Sequence, residues 1–296
     1  MRTWPVLLLL AGCTPQLSSS EDPIIGGTRS TGMTATVMLV SFPPDRSVMD
    51  TCTAVLVSPT VLLTSAHCVD APNHPGYLYG VFTGDDATAY PRLVDIEPHL
   101  VPVSAVHPHP MYSTQAPFYA DLGVVVLAMA LPITPLPIQR TPLDSSVIGK
   151  TAQIVGYGQT TYQQINRARY EATTTVTAIE NDTVVVGDPQ HRACLGDSGG
   201  PAIVEGVLIG VDSYGPTGCT AAAHYRRVDS FLPFIDQYAP PPAGPGPDAG
   251  PGGGGPDAGD GETAETTGCA TTGGGGPGGA GVALALALLA RRRVRT

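Results

Sequence analysis

Residues 194 to 201 read "CLGDSGGP": a serine between an aspartate and two glycines, with a cysteine four positions before it. A hydroxyl attacks a carbonyl only when three further things surround it. These are a base in contact, a group that holds the base, and donors for the developing oxyanion. The glycines of this stretch permit a tight turn that lifts Ser198 out of the chain. Gly196 and Ser198 can then aim their backbone N–H groups at one point. Upstream, "LLTSAHC" (62–68) sets His67 directly after a run that reads as a buried strand. "YADLGVVVL" (119–127) sets Asp121 at the mouth of another. A lone serine in a Gly-rich turn, or a lone histidine, is a structural residue in most proteins. Three such segments together meet the needs of acyl transfer.

Around these segments the chain reads as short strands between turns. The runs 34–42, 53–65, 77–84, 122–129, 151–158, 173–187 and 206–215 are rich in Val, Ile, Thr and Tyr and are bounded by Gly, Pro, Asp and Asn. Many short strands without intervening helical patterns predict an antiparallel barrel or sandwich. One helical pattern appears late: "RRVDSFLPFIDQYA" (226–239) places Val228, Phe231, Phe234 and Ile235 on one face, with Pro233 near the first turn. "HPHP" (107–110) reads as a turn and not as a metal site. His74, His99, His191 and His224 take structural readings as well, so no metal or other cofactor is expected.

The formal net charge is -10, with 15 Lys plus Arg, and no basic cluster lies in the foldable part. That excludes a nucleic-acid surface. From residue 239 onward Pro, Gly, Ala and Asp dominate, a composition that cannot bury enough apolar surface to offset its ordering entropy. The chain therefore divides into a signal peptide (1–12), a tether or propeptide (13–23), a folded domain (24–238), an acidic linker (239–267) and a C-terminal sorting or anchor segment (268–296). "MRTWPVLLLLAGC" is an export signal. Its "LAGC" resembles the lipobox of bacterial lipoproteins, which implies lipidation of Cys13; an ordinary signal with a chance cysteine is the alternative. The end of the chain carries Cys269, a nine-residue apolar run (282–290) and "RRRVRT". It resembles the sorting tail of myxobacterial surface proteins, with a weak membrane anchor or an unprocessed tail as the alternative. Either terminus offers a membrane partner. Export makes disulfides the expected state of Cys52, Cys68, Cys194 and Cys219, whose three possible pairings spacing alone does not separate.

The motifs together resemble the chymotrypsin–trypsin family of serine proteases over residues 24–238. "GDSGGP" (196–201) and "AHC" (66–68) carry the resemblance, supported by "IIGG" (24–27), "VHPHPMY" (106–112), "GYG" (156–158) and "SYG" (213–215). The order His67, Asp121, Ser198 is that family's order, in the triad that serves as the general template for such catalysis. The resemblance implies two antiparallel six-stranded β-barrels with a C-terminal helix. It implies an endopeptidase acting on protein or peptide substrates. Ser198 would be the nucleophile, His67 the base, Asp121 the group holding the imidazole, and Gly196 and Ser198 the oxyanion hole. Asp95 is a rival acid that lacks the apolar strand after it. The resemblance also implies disulfides Cys52–Cys68 and Cys194–Cys219. Ser213, Tyr214 and Gly215 would form a substrate-binding edge strand, and Ala223 would stand at the pocket wall. A catalytically silent binding module on the same fold is the competing class.

Two departures stand out. Family members mature by a cut before the "IIGG" stretch, freeing an amino group that pairs with the aspartate beside the nucleophile; here that pair would be Ile24 and Asp197. Pro23 precedes Ile24 in place of Arg or Lys, so either another protease cuts at Pro23–Ile24 or Asp197 finds another cation. In trypsins the acid at the pocket floor lies six residues before the serine, and here that position is Arg192. A cation there opposes an Arg or Lys substrate side chain. An Asp or Glu substrate side chain is then the first expectation. An apolar or small one is the second, should Arg192 turn outward.

Overall fold

The computed structural model describes residues 24–241, apart from 71–73, 116–118, 162–163 and 166. The chain divides into two compact units, Met1–Pro242 and Ala243–Thr296, and every described residue belongs to the first. The expectations for 1–23, for Cys13 and Cys269, and for the linker and tail beyond residue 241 lie outside the described residues.

A short strand β1 (Thr28–Arg29) precedes six strands that close into the first barrel: β2 (Thr36–Phe42), β3 (Asp50–Ser58), β4 (Val61–Thr64), β5 (Leu78–Phe82), β6 (Val101–Pro108) and β7 (Gly123–Leu127). The closed order is β2-β3-β4-β7-β6-β5, all antiparallel. β2 is buried at every position. The β-branched and aromatic content of such segments suits a pleated, half-buried surface. The long apolar run 53–65 is two strands, because Pro59 and Thr60 turn the chain back on itself.

The second barrel closes in the order β8-β11-β12-β15-β14-β13, with β1 added on the outer edge of β11. Its strands are β8 (Thr151–Gly156), β11 (Tyr170–Glu180), β12 (Thr183–Val186), β13 (Pro201–Val204), β14 (Val207–Tyr214) and β15 (Ala223–Arg227); a small hairpin, β9 (Gln159–Thr161) with β10 (Gln164–Ile165), hangs off it. β13 and β14 are joined by Glu205 and Gly206, both at positive φ (53° and 79°), the backbone of a tight hairpin turn. β11 alternates cleanly, with Ala172, Thr174 and Val176 turned inward. The expected pair of six-stranded antiparallel barrels is thus the fold. Three of its strands, β6, β13 and β15, were not read from the sequence.

Besides a one-turn helix α1 (Leu93–Ile96), the described residues hold a closing helical segment. This is a 3-10 turn over Val228–Phe231 followed by α2 (Leu232–Ile235), with Pro233 in its first turn. It is shorter than the periodicity suggested, because Arg226 and Arg227 belong to β15. Val228, Phe231, Phe234 and Ile235 cover an apolar cluster shared by both barrels, with Leu63 and Leu122 from the first and Leu208 and Val211 from the second.

A buried arginine also bridges the barrels. Arg169 donates from Nε to the Ser30 carbonyl (3.3 Å), and from one Nη to the Thr36 carbonyl (3.0 Å) and the Tyr157 hydroxyl (3.2 Å). Its partners are carbonyls and a hydroxyl, so its loss leaves several buried acceptors without donors. We expect Arg169→Ala, tested on an inactive Ser198→Ala background by urea unfolding, to cost about 3 kcal/mol, the scale of a few unsatisfied buried groups. Arg169→Lys should recover little, since an ammonium cannot reproduce the fork of donors.

Candidate active site

Register builds the site. Thr64 at the end of β4 pairs with Gly123 at the start of β7. The residues just beyond, His67 on a 3-10 turn (Ala66–Cys68) and Asp121, therefore meet at the same end of the first barrel. The Cys52–Cys68 disulfide ties that turn to β3. Asp121 is fully buried and grips the histidine twice: its Oδ1 accepts the His67 backbone N–H (2.9 Å) and its Oδ2 lies 2.8 Å from His67 Nδ1. The Ser213 hydroxyl, on β14 of the second barrel, donates to the same Oδ2 (2.7 Å). Burial acts to raise the Asp121 carboxyl, but these bonds and the charge of His67 outweigh it and hold the group below its ordinary value. Asp95 is elsewhere, ion-paired to Arg92 (2.7 Å) at the start of its own short helix.

The serine arrives from the second barrel on the turn before β13. Thr53 on β3 docks it: the Thr53 N–H donates to the Ser198 carbonyl (2.9 Å), and the Thr53 hydroxyl donates to the Gly196 carbonyl (3.0 Å). Gly199 makes this possible. It sits at φ 86°, and a Cβ there would lie 2.1 Å from the Thr53 carbonyl oxygen and 2.2 Å from the Thr64 hydroxyl. Gly196 also has positive φ (93°), and neither its N–H nor that of Ser198 is used in a backbone hydrogen bond among the described residues.

His67 and Ser198 face one cavity of about 530 Å³. Ser213, Tyr214, Gly215 and Ala223 line it too. The Cys194–Cys219 disulfide closes one side. Tyr112, Thr114, Leu195 and Asp212 were not foreseen. The order of residues carries no direct sign of the first three, which arrive on loops. Asp212 was visible as an acid inside an apolar run, "GVLIGVDSYG" (206–215).

Arg192 is not brought to this cavity. Its Nε donates to the Cys219 carbonyl and its Nη1 to the Pro189 carbonyl, so the guanidinium is spent on backbone. Arg192 instead pairs through its own backbone with Ile25 (2.9 Å and 3.3 Å). That bridge carries Ile24 inward, where it is 1% exposed. Asp197, adjacent to Ser198, accepts the N–H groups of Gly158 (2.9 Å) and Cys194 (2.9 Å) and the backbone N–H of Ile24. Gly158 is needed for that approach, since a Cβ there would meet the Asp197 carboxyl at 2.6 Å. No cation is among the groups acting on Asp197, and burial pushes its carboxyl up to about 7. The histidines of "HPHP" pack against rings: His107 stacks on Tyr238, and His109 meets Phe231 and Phe234 edge-on.

The chain matches the Trypsin family model over residues 24–235 and belongs to that family. It is a serine endopeptidase of the chymotrypsin-like class. It is 25% identical over 252 residues to a trypsin of Phaedon cochleariae (77% of this chain, 93% of the relative). It is 27% identical over 255 residues to human granzyme B (78% and 96%). The solved structure of neuropsin, a serine protease expressed in the limbic system of mouse brain, superimposes with a TM-score of 0.57 at 22% identity, covering 71% of this chain and 97% of that one.

The docking at Gly199 gives a direct test. Gly199→Ala, at positive φ and against the Thr53 carbonyl, should cost about 3 kcal/mol or more from strain alone. Urea unfolding measures it; a cost below about 1 kcal/mol would show that the turn relaxes away from β3.

Proposed function

We propose that this serine endopeptidase works through an acyl-enzyme on Ser198, with His67 as base and then acid. Asp121 fixes the imidazole so that Nδ1 faces the carboxylate and Nε2 faces the serine. Gly196 and Ser198 offer their N–H groups to the oxyanion. The observation that carries this reading is the two-point grip of Asp121 on His67, fixed further by Ser213, at a cavity that Ser198 shares. An ionised Asp121 stabilises the imidazolium formed when the serine proton moves to His67. Ser213, Tyr214 and Gly215 would pair with the substrate backbone as an added strand. Ser198→Ala should keep the fold and lower turnover by about 10⁶-fold. Peptidase assays of both purified proteins, with fluorophosphonate labelling of the wild type, decide it. Equal activity, or an unlabelled Ser198 in active wild type, would refute the assignment; an inactive and unlabelled wild type would favour the silent-module reading.

The proposed maturation is a cut between Pro23 and Ile24 by another protease. The amide N–H that now meets Asp197 would become an ammonium, giving the buried carboxyl a cation. An unpartnered charge there costs roughly 3–5 kcal/mol, and in the uncut chain protonation removes that charge. The sign follows from the raised carboxyl. The folded precursor holds a proton that the unfolded chain releases near its ordinary 3.8, so stability is fully present below that pH and is lost as pH rises toward about 7. Each pH unit across that window removes about 1.4 kcal/mol. Asp212 is also raised and acts in the same direction in both forms. The comparison is therefore precursor against cut chain. Unfolding of the Ser198→Ala chain between pH 4 and 8 should show the steeper decline in the precursor. Equal slopes, or active protein that begins only at Cys13, would overturn this maturation.

Export is the proposed destination of the chain, consistent with its two disulfides, which belong to oxidising compartments. Cleavage after residue 12, lipidation at Cys13 and anchoring through Cys269 remain proposals from the sequence. A cut at Ile24 would leave the C-terminal segment as the attachment.

A further inference from the structure

The register of β14 against β15 slips at Ser213: Asp212 pairs with Tyr225, yet Tyr214 pairs with His224. A bulge of this kind re-aims the side chains around it. Ser213, left out of the pairing, sends its hydroxyl to Asp121 (2.7 Å). Tyr214 lies against its cross-strand partner. Its ring stacks on the His224 imidazole, with centroids 4.5 Å apart and planes 5° from parallel. The Arg226 guanidinium, two residues further along β15, stands 5.5 Å from the centre of the same ring. Both partners of the ring are held from one place, the turn that joins β11 to β12. There a Glu180 carboxylate oxygen lies 3.3 Å from His224 Nε2, and Asp182 accepts from Arg226 Nη1 (2.9 Å). These charges reach the tyrosine. Burial raises its hydroxyl, the charge of Arg226 acts against that, and the charges of Glu180 and Asp182 add to it. Among the described residues no hydrogen bond reaches the buried Nδ1 of His224.

A buried ring nitrogen without a partner costs free energy that an aliphatic side chain at position 224 would not. What the imidazole supplies instead is a flat face parallel to the Tyr214 ring, an interaction beyond simple area burial. Among the described residues Tyr214 lines the cavity, whereas His224 does not. The imidazole therefore reaches a substrate only through that ring. We propose that His224 is a positioning residue: stacked on Tyr214 and steered by Glu180, it fixes the tyrosine ring at the cavity and so sets the affinity for peptide extending several residues ahead of the cut bond. This rests on the reading in which Ser198 reacts and Ser213, Tyr214 and Gly215 receive the substrate backbone. The stack touches neither Ser198 nor His67, so its effect falls on binding and not on the chemical step. Binding lost equally from ground state and transition state appears in KM, with kcat unchanged.

Two substrates separate the effects, a tetrapeptide and an acylated single residue. Both carry the same leaving group and whichever residue a peptide library shows to be preferred before the cut bond. His224→Leu keeps the bulk and removes the flat face. In the active enzyme it should raise KM for the tetrapeptide about 5-fold, the scale of one aromatic pair, with kcat unchanged, and leave the short substrate as in wild type. His224→Phe should restore the tetrapeptide KM, because the stack returns without the nitrogens. On a Tyr214→Ala background, His224→Leu should have no further effect. A loss shared equally by both substrates, no rescue by Phe, or an effect that persists without the Tyr214 ring would overturn the proposal. Fluorescence anisotropy of the labelled tetrapeptide on the Ser198→Ala chain, with and without His224→Leu, reads the ring without the chemistry, and the affinity should fall by the same factor. An inactive wild type with that fall intact would count against the triad reading alone. An unchanged affinity would overturn the positioning role.

Discussion

The site depends on one close approach: the serine turn of the second barrel pressed against β3 and β4 of the first at Gly199. Thr53 is the hub of that joint. Its N–H and hydroxyl hold the Ser198 and Gly196 carbonyls, its carbonyl accepts the Thr64 hydroxyl (2.8 Å), and its hydroxyl oxygen accepts the Tyr157 N–H (3.1 Å). Its N–H and hydroxyl cross the seam, while its carbonyl bond to Thr64 lies within the first barrel, and Thr53 is fully buried. The histidine belongs to one barrel and the serine to the other, so their separation is set by this seam and not by either barrel alone. The close approach also explains why the Gly-rich stretch extends beyond the serine. Gly199 lets the turn touch the partner barrel, and Gly200 accepts the Asp212 N–H and so anchors the pocket strand to the same turn.

The resemblance of the motifs to the chymotrypsin–trypsin family made the two-barrel architecture and both disulfides legible, and it pointed to the segments of His67, Asp121 and Ser198 that the fold brings to one cavity. What escaped is instructive in its causes. β6 was hidden because Pro102 and Pro108 interrupt it, and a strand at half-burial tolerates them where its N–H groups are not required. β15 was hidden because "HYRR" is polar, although Tyr225 and Arg226 are buried. Arg192 was assigned by counting along the chain. Counting gives a backbone position, whereas the direction of a long side chain depends on acceptors brought from elsewhere. Here the disulfide to Cys219 delivers one of those acceptors beside it. Asp212 was overlooked for the converse reason: an acid within an apolar strand was absorbed into the strand. Its local cost is a buried carboxyl whose Oδ1 has no hydrogen-bond partner.

Three buried carboxyls surround the serine turn, and they differ in their donors. Asp121 has an imidazole, a backbone N–H and a hydroxyl, and stays ionised. Asp197 has three backbone N–H groups and no cation, which leaves burial dominant. Asp212 has one N–H, and burial together with the charges of the other two raises its carboxyl well above the ordinary range. In a shared low-dielectric interior these groups are coupled, since each negative charge raises the cost of the next. An ammonium arriving at Asp197 adds its positive charge as the carboxyl becomes negative. The pair is then nearly neutral toward Asp212, and maturation need not exhaust the interior's tolerance for charge. Asp197 and Asp212 thus share one electrostatic constraint: no cation is among the groups acting on either, and each negative charge makes the other harder to form.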